Sequence, residues 1–269
     1  MSIKPQPLYL KIAGIIIQVT FQSHEKLNRQ SYPQKLIIDA IKKQYRGFIM
    51  HKTPTVIDCR IEFCDILEQT IQKKGAIYDI SFFEEKATNV VLTYYHISIF
   101  QFSFIIRKIL VAHLKNKGFF LHASASLVKH QAYVFIGRSG AGKTTIMTLL
   151  TKMSRPLSDD HVLILKEDNQ FYYYQIPFFE KGQAIIKKTS RRHKLGKIFF
   201  LKKAGFLKLK HVSEKNIVLH MLLEQRWVDD EHLQKQAKVI LDFVSRFSHF
   251  YYLFFSKNRK KLTEFINRS

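Results

Sequence analysis

The sequence predicts an α/β protein built on a mixed sheet, and three observations point to this fold class. An apolar run at 132–136 has the composition of a buried strand and leads directly into the glycine-containing segment 137–145. The apolar residues after that segment recur at offsets of three, four and seven, as they do on one face of a helix. Within 56–63, charged side chains alternate with apolar ones, which is typical of a strand with one face in solvent.

The first third of the chain is predicted to be rich in strands. Apolar runs bounded by polar or turn-forming residues indicate the strands, and apolar residues at helical spacing indicate two helices. Gly14 is expected to mark a bend, and Gly118 to cap the second helix, because glycine is common just after a helix ends. The predicted elements are one or two strands at 8–21, strands at 56–63, 76–83 and 89–95, and helices at 32–45 and 97–116.

The rest of the chain is predicted to continue with both kinds of element. The runs at 119–126 and 132–136 flank a short polar segment, which indicates an antiparallel hairpin. A basic loop is expected over 181–197. The further predicted elements are a helix after 145, strands at 161–165, 171–176, 198–202, 206–211 and 251–255, and helices at 213–226, 232–247 and after 256.

The composition excludes a mainly disordered protein and leaves the charge ambiguous. Of the 269 residues, 46% are hydrophobic and 13% are aromatic, which provides ample apolar surface for a core. The formal net charge of +23 would suit a nucleic acid or an anionic surface as partner. Lys, Phe and Tyr are abundant and Gly is scarce along the whole chain, a bias that codon composition alone can produce. We therefore do not expect specific nucleic-acid binding.

The sequence carries no zinc, disulfide or membrane signal. Cys59 and Cys64 match neither a zinc spacing nor a disulfide framework, so we expect two free thiols in a reducing compartment. The uninterrupted apolar stretch at 12–17 is shorter than a signal-peptide core of about 7–15 residues or a membrane span of about 20. The run at 97–111 is interrupted by polar and charged residues. We expect a soluble, cytoplasmic protein with no membrane insertion.

Residues 137–145, GRSGAGKTT, match the phosphate-loop pattern G-x-x-x-x-G-K-[ST] between a predicted strand and a predicted helix. Glycines let successive backbone N–H groups point at phosphate oxygens, and the helix adds its positive N-terminal end. Three of the ten glycines fall in this segment, which favours a phosphate loop over an ordinary turn. ATP and Mg²⁺ are the predicted cofactors. The residues predicted to bind ATP are Gly137, Arg138, Ser139, Gly140, Ala141, Gly142, Lys143, Thr144 and Thr145.

Within this loop, individual side chains have expected roles. Lys143 is expected to reach the β- and γ-phosphates, Thr144 to present its hydroxyl to Mg²⁺, and Thr145 to lie near the α-phosphate.

An acidic pair follows the loop, with Asp159 placed 16 residues after Lys143. The pair precedes the apolar run 161–165, the reverse of the order in ordinary P-loop NTPases. At the mouth of the loop, Asp159 could hold Mg²⁺ while Asp160 accepts a proton from an attacking hydroxyl. Like charges this close are expected to raise one of the two pKa values. A solvated turn or the N-terminal cap of a strand is the alternative.

His122 lies upstream in the apolar run 119–126. If this run and 132–136 are antiparallel neighbours, the imidazole lies near the strand end beside the phosphate loop. A lone histidine among apolar residues is more often part of a core, so on the residues alone both readings stay open.

Four segments together resemble the HPr kinase-like proteins: LHASA at 121–125, GRSGAGKTT at 137–145, LSDD at 157–160 and IFFLKK at 198–203. Their order and spacing cover roughly 118–255, and the opening KIAGIIIQV resembles the start of smaller family members. The resemblance implies a phosphoenolpyruvate carboxykinase-like kinase core that is unrelated to ordinary P-loop NTPases. It also implies transfer of a phosphoryl group from ATP to a serine-type hydroxyl.

The resemblance implies roles for five residues. Lys143 and Thr144 match the loop lysine and the hydroxyl that binds Mg²⁺. Asp159 matches an aspartate that helps to bind the metal, and Asp160 matches the base of the phosphorylation reaction. His122 matches the histidine that hydrogen-bonds this base.

The chain also departs from the family. The arginine–glycine turn by which HPr kinase binds HPr is missing from 171–197, so the chain resembles small kinases of peptide-tailoring pathways, such as lasso-peptide kinases, or of small hydroxyl substrates. The basic residues of 181–197 occupy the place of the family's mobile substrate segment, where Arg191 and Arg192 could contact the transferred phosphoryl group. A solvated charge run is the alternative.

These observations predict a strand-rich N-terminal lobe at 1–95 and a nucleotide-binding kinase core at 96–269. The leading hypothesis is an ATP- and Mg²⁺-dependent kinase that phosphorylates a serine-type hydroxyl on a peptide or small molecule. The resemblance implies that such a kinase could form a homo-oligomer. The alternative is a nucleotide-dependent binding or regulatory protein whose basic surface holds RNA or an acidic partner.

Overall fold

The computed structural model divides into two compact units, Met1–Ala112 and His113–Ser269. It describes residues 6–22, 32–64, 71–74, 77–80, 82–114, 116–151, 153–180, 186–226, 233–256 and 262. Both units combine helices with a sheet that contains parallel and antiparallel pairs. The α/β class predicted from the sequence is therefore confirmed.

The first unit contains a five-stranded sheet in the order β1-β2-β3-β7-β6. Its first two strands form a hairpin whose turn holds Ala13 and Gly14 at φ angles of 51° and 84°, which confirms the predicted bend. The elements are β1 (Leu8–Ile12), β2 (Ile15–Phe21), α1 (Tyr32–Gln44), β3 (Cys59–Cys64), β4 (Ile71–Lys74), β5 (Ile77–Ile80), β6 (Phe83–Ala87), β7 (Val90–Tyr94) and α2 (Ile99–Leu114), with β4 and β5 paired apart from the sheet.

Aromatic side chains join α1, α2 and the sheet within the first unit. The ring of Phe63 stacks on Phe21 and on Phe102 of α2, with ring centroids 5.3 and 5.9 Å away. The hydroxyl of Tyr45 lies 2.9 Å from the Oγ atom of Ser103. Because α2 packs on these residues, most of this helix belongs to the first unit. The division after Ala112 therefore lies one helix later than the predicted lobe boundary at 95/96. Whether the predicted lobes fold separately stays a prediction.

The second unit is built on a nine-stranded sheet in the order β11-β9-β10-β14-β13-β12-β8, with β16 between β14 and β15. Two predicted features differ. Gly118 starts a strand instead of capping a helix, and the predicted loop at 192–197 is the first half of a long strand. The elements are β8 (Gly118–His122), β9 (Ser124–Val128), β10 (Gln131–Ile136), α3 (Lys143–Leu150), β11 (Arg155–Ser158), β12 (His161–Glu167), β13 (Gln170–Tyr174), β14 (Arg192–Lys203), β15 (Lys208–His211), α4 (Lys215–Glu224), α5 (Leu233–Arg246) and β16 (Phe250–Phe255).

The predicted run at 119–126 is two strands rather than one. β9 pairs antiparallel with β10, as predicted, but β8 pairs antiparallel with β12. The chain changes partners at Ala123, which is fully buried. The single-strand prediction is wrong because apolar composition continues across the junction and hides the change of partner.

The pairing directions bring two strand ends to one edge of the sheet. β9 is antiparallel to both β10 and β11, so β10 and β11 run in the same direction. The phosphate loop follows β10 and the acidic pair follows β11. The acidic pair therefore does end a strand. The sequence did not reveal this because β11 has only four residues and begins with Arg155 and Pro156.

Helices cover both faces of this sheet. On one face, α3 packs its buried Ile146 and Leu150 against alternate residues of β10 and β14. On the other face, α4 and α5 pack against the strand residues that alternate with those facing α3. Phe243 of α5 contacts the rings of Phe119, Phe171 and Phe250. Among the residues that the structure describes, no helix is long and apolar enough to cross a membrane. The predicted helix after 256 lies outside the described residues, apart from Leu262.

Replacing Phe243 by alanine is expected to lower the free energy of unfolding by about 3–5 kcal/mol, because the ring is fully buried among other aromatic rings. Chemical denaturation of the full chain measures this change. The matched control is Leu241→Ala on the same helix, where the side chain is 55% exposed, with an expected change within about 0.5 kcal/mol. Equal effects of the two substitutions would contradict the packing described here.

Candidate active site

The phosphate loop connects β10 to α3, as predicted. Gly140 and Gly142 have φ angles of +77° and +102°, which non-glycine residues rarely adopt. Gly142 is also the residue immediately before α3, and a Cβ atom there would lie 2.8 Å from the ring of Phe255. The loop thus requires glycine at this position both for its backbone conformation and for space.

Lys143, the first residue of α3, is held at the start of the loop. Its Nζ atom donates a hydrogen bond to the carbonyl oxygen of Gly137 at 2.7 Å. Burial lowers the pKa of this ammonium, and the carboxylates of Asp160 and Asp159 partly oppose the effect. A buried ammonium at the loop provides positive potential where phosphates would bind.

A cavity of about 270 Å³ lies at the loop and collects residues from three separate parts of the sequence. Ligand pockets typically measure about 300–1,000 Å³, so this cavity is of a size for phosphate groups rather than for a whole nucleotide. We call it the phosphate cavity. Its lining residues are His122, Ser139, Gly140, Gly142, Lys143, Thr144, Thr145, Asp159 and Asp160.

Asp160 and His122 form a hydrogen-bonded pair at the phosphate cavity. The Nδ1 atom of His122 lies 2.9 Å from Oδ1 of Asp160, and Nε2 of His161 lies 3.9 Å from Oδ2. The hydrogen bond from His122 lowers the pKa of Asp160, with smaller contributions in the same direction from His161 and Lys143. The expectation of a raised pKa is therefore wrong for Asp160, because the hydrogen bond from His122 and the nearby cationic groups outweigh the opposing effect of burial.

Three consecutive residues, His122 to Ser124, hold the acidic turn and the loop helix together. The backbone N–H of Ala123 donates to the carbonyl oxygen of Asp160 at 3.2 Å. The Oγ atom of Ser124 donates to the carbonyl oxygen of Lys143 at 3.2 Å. The imidazole of His122 reaches Asp160 because β8 pairs with β12 so that His122 lies opposite His161. This position comes from β8 and β12, and not from the hairpin that the sequence suggested.

Asp159 is 4% exposed and has an orphaned carboxylate oxygen. Within the described part of the chain, no hydrogen-bond donor reaches its Oδ1 atom. A buried carboxylate oxygen without a partner is costly unless a cation or water satisfies it. Thr144 lines the same cavity and offers a hydroxyl. The described residues contain no cluster of three or more His, Cys, Asp or Glu for a metal. The orphaned carboxylate oxygen and the Thr144 hydroxyl are oxygen ligands that suit Mg²⁺, which completes its shell with phosphates and water.

A buried ion pair holds the backbone of Asp159, and the sequence analysis missed it. The side chain of Glu180 is fully buried, and its Oε2 atom accepts the N–H of Asp159 at 2.8 Å. Its Oε1 atom lies 3.1 Å from Oγ of Ser158 and 3.0 Å from Nζ of Lys188. Burial raises the pKa of Glu180 and lowers that of Lys188, and each partner opposes the shift of the other. A lone glutamate after the apolar stretch 176–179 was the signal that the sequence offered.

Five predicted site residues do not line the phosphate cavity: Gly137, Arg138, Ala141, Arg191 and Arg192. The side chain of Arg138 is 82% exposed and pairs with Glu224 at 3.3 Å. Arg191 is exposed beside Thr189. Arg192 lies on β14, where it pairs with Glu167 and stacks on the ring of Tyr172, 4.3 Å from its centroid. The roles of these arginines in phosphoryl transfer stay predictions.

Comparisons of the sequence with known proteins match part of this chain to a protein family and to a curated protein. A family model described as ABC transporter matches residues 120–250, just under half of the chain and including the phosphate loop. The probable GTP-binding protein EngB of Thermosipho africanus (strain TCF52B) is 25% identical over 119 residues, which are 42% of this chain and 54% of that protein. The chain thus spans about half the length of this curated relative.

Among solved structures, the Hpr(Ser) kinase/phosphatase from Coxiella burnetii aligns with 55% of this chain and 91% of that chain, at 11% identity and a TM-score of 0.28. The family match covers the phosphate loop, so in this region the second unit resembles P-loop nucleotide-binding proteins.

We expect Glu180→Gln to raise the Mg²⁺ concentration needed for half-maximal activity, because the variant leaves Lys188 buried without its ion pair and loosens the backbone of Asp159. The free energy of unfolding should fall by about 3–5 kcal/mol. Titration of ATP turnover with Mg²⁺ and chemical denaturation measure the two effects.

Two further variants define the control. Glu180→Gln/Lys188→Met removes both charges and should recover most of the lost free energy of unfolding. It should still need more Mg²⁺ than wild type for half-maximal activity. Glu167→Gln, which breaks the surface pair with Arg192, should change stability by no more than about 1 kcal/mol. An unchanged Mg²⁺ requirement in Glu180→Gln would show that this glutamate does not position Asp159.

Proposed function

We propose that this protein is an ATP- and Mg²⁺-dependent kinase that transfers the γ-phosphoryl group to a serine-type hydroxyl on a peptide or small molecule. The observation that carries the proposal is the pair of Asp160 and His122 at the phosphate cavity. A carboxylate fixed by a histidine beside a phosphate loop has the geometry of a general base for an attacking hydroxyl. The resemblance of four sequence segments to HPr kinase-like proteins supports the same reaction.

In the proposed reaction, Asp160 takes the proton of the acceptor hydroxyl. The acceptor oxygen forms a bond to the γ-phosphorus, the bond from that phosphorus to the β,γ-bridging oxygen breaks, and ADP leaves. The hydrogen bond from His122 orients the carboxylate and keeps it ionised. Transfer of the proton as the new bond forms avoids a free alkoxide.

The phosphate groups of ATP would be held by the loop N–H groups and by Lys143, whose ammonium is already fixed at Gly137. Asp159 and Thr144 would hold Mg²⁺, which neutralises charge on the phosphates when it is bound. The orphaned oxygen of Asp159 supports this assignment.

The comparisons support nucleotide use at a coarser level. The matching family is described as ABC transporter and the curated relative as a probable GTP-binding protein. Neither description names a hydroxyl acceptor, so the acceptor class depends on the acidic pair and the sequence resemblance. A cytoplasmic location and assembly as a homo-oligomer belong to the proposal.

We expect Asp160→Asn to lower phosphoryl transfer by about 10²–10⁴-fold, because an amide cannot accept the hydroxyl proton. The wild-type chain, incubated with Mg²⁺ and [γ-³²P]ATP, is tested on serine-containing peptides and small hydroxyl compounds, and labelled products are counted. The Kd for ATP should change by less than about threefold, since the loop is untouched.

Asp168→Asn is the matched control, because Asp168 lies in an exposed turn at a φ of 46°, which asparagine also tolerates. It should transfer at the wild-type rate. Equal transfer rates in Asp160→Asn and wild type would overturn the assignment of the base, and failure of wild type to bind ATP would overturn the kinase proposal.

We expect His122→Ala to move the acidic limb of the pH profile of kcat/KM to higher pH. The hydrogen bond from His122 is the largest cause of the lowered pKa of Asp160, so its loss raises that pKa and protonates the base at higher pH. The value of kcat should also fall by about 10-fold or more, as for other positioning residues. His122→Asn keeps a donor and should shift the limb less, while His96→Ala, at an exposed position, should leave it unchanged. An unmoved limb in His122→Ala would contradict this role.

A further inference from the structure

A second cavity, of about 740 Å³, lies beside the phosphate loop on the face of the sheet that carries α4. Its volume falls within the range of about 300–1,000 Å³ found for ligand pockets. Strand β10, the second half of β14 and helix α4 form its walls. We call it the α4 cavity. Seven of its lining residues are apolar or aromatic: Ile136, Ala141, Phe200, Leu201, Ile217, Met221 and Tyr252.

The α4 cavity adjoins one end of the phosphate loop. Gly137 and Arg138 line it, and the carbonyl oxygen of Gly137 accepts the hydrogen bond from Lys143. That ammonium is the group expected to contact the β- and γ-phosphates. Thr145, expected near the α-phosphate, lines the phosphate cavity and not the α4 cavity. The contact between Lys143 and Gly137 therefore puts the α4 cavity on the side of the loop where the β- and γ-phosphates are expected.

The α4 cavity also adjoins the backbone of His122, whose side chain binds the proposed base. The backbone N–H of His122 donates to the carbonyl oxygen of Gln225 at 2.7 Å, and Gln225 lines the cavity. An isolated β-bridge joins Leu121 to Arg226 directly beside this contact. The end of α4 is thus fixed to the end of β8, where the pair of His122 and Asp160 begins.

The rim of the α4 cavity carries an excess of cationic and donor groups. Arg138 and His220 approach Glu224, at 3.3 and 3.6 Å. Lys202 lies over the ring of Tyr252, 5.6 Å from its centroid, and also lines the cavity. One carboxylate faces two permanent cations and a histidine, so an anionic group on a ligand would be attracted to this rim.

We infer that the α4 cavity binds the phosphoryl acceptor, and that the acceptor is an amphipathic hydroxyl compound with an apolar body and an anionic group. This inference rests on the proposed kinase function. The apolar walls fit the body, the cationic rim fits the anionic group, and the position between the γ-phosphate end and the base fits the reacting hydroxyl. A peptide segment and a small aromatic acid can both present this chemistry.

The binding test uses 8-anilinonaphthalene-1-sulfonate, a fluorescent amphipathic anion, as the probe with the full chain. Ile217→Trp fills the α4 cavity from a side chain that is already 37% exposed, so the variant should fold. It should weaken binding of the probe by about tenfold or more, and Lys202→Ala should weaken it by a smaller factor. The matched control is Leu241→Trp on α5, at a 55% exposed position away from the cavity, which should change the Kd by less than about twofold.

Competition with Mg·ATP and with Mg·tripolyphosphate then separates the occupants. An acceptor cavity predicts that both phosphate compounds change the affinity for the probe equally, because only their phosphates approach it. Displacement of the probe by ATP and not by tripolyphosphate would show that the nucleoside occupies the cavity, and would overturn the inference. Unchanged probe binding in Ile217→Trp would overturn it as well.

A transfer assay distinguishes failure of this inference from failure of the kinase proposal. If wild type phosphorylates an acceptor, Ile217→Trp should raise the KM for that acceptor by about tenfold or more while the Kd for ATP stays within about twofold. Wild-type transfer with an unchanged acceptor KM in Ile217→Trp would reject the cavity and keep the kinase. Serine peptides and small hydroxylated aromatic acids are assayed in separate arms, and the arm that competes with the probe identifies the source of the acceptor.

Discussion

The junction at His122, Ala123 and Ser124 is the constraint on which the site depends. At this point the chain leaves one strand pairing for another, and each of the three residues makes a contact that crosses the junction. The imidazole binds the Asp160 carboxylate, the next N–H holds the Asp160 carbonyl, and the serine hydroxyl holds the first turn of α3. Asp160, the proposed base, and the phosphate loop are therefore fixed by neighbouring residues of one segment, which limits how far they can move apart.

Two charged side chains near this junction, Lys143 and Asp159, are placed to interact with bound ligands. Burial makes Lys143 a weaker base than an exposed lysine, while the buried Asp159 keeps an oxygen without a donor among the described residues. Phosphates and Mg²⁺ would satisfy both groups, so nucleotide binding should stabilise this unit as well as supply the reactant. The pair of Glu180 and Lys188 differs, because its partners are both internal and its role is to hold a backbone in place.

Local patterns predicted the parts of the site that local geometry determines. The phosphate loop could be read from 137–145 because glycine spacing, a strand and a helix all lie within about 20 residues of sequence. His122 and Asp160 could be paired only through the resemblance, since the register that joins them belongs to β8 and β12. Glu180 could not be found, because a buried ion pair with Lys188 depends on tertiary packing and leaves no periodic signal. The position of Arg192 was missed for a related reason, since β14 extends through a charged stretch.

A phosphate loop with Asp160 as the proposed base could serve either of two nucleophiles. A fixed carboxylate can take a proton from water as well as from an alcohol. Families with such loops include proteins described as ABC transporters and as GTP-binding proteins, so the loop alone does not decide between hydrolysis and transfer. In our proposal, the surroundings of the γ-phosphate end decide between hydrolysis and transfer. In the same proposal, that end opens onto the α4 cavity, whose apolar side chains would give an amphipathic alcohol buried contact area. An acceptor that fills this cavity would exclude water from the base and so favour transfer over hydrolysis.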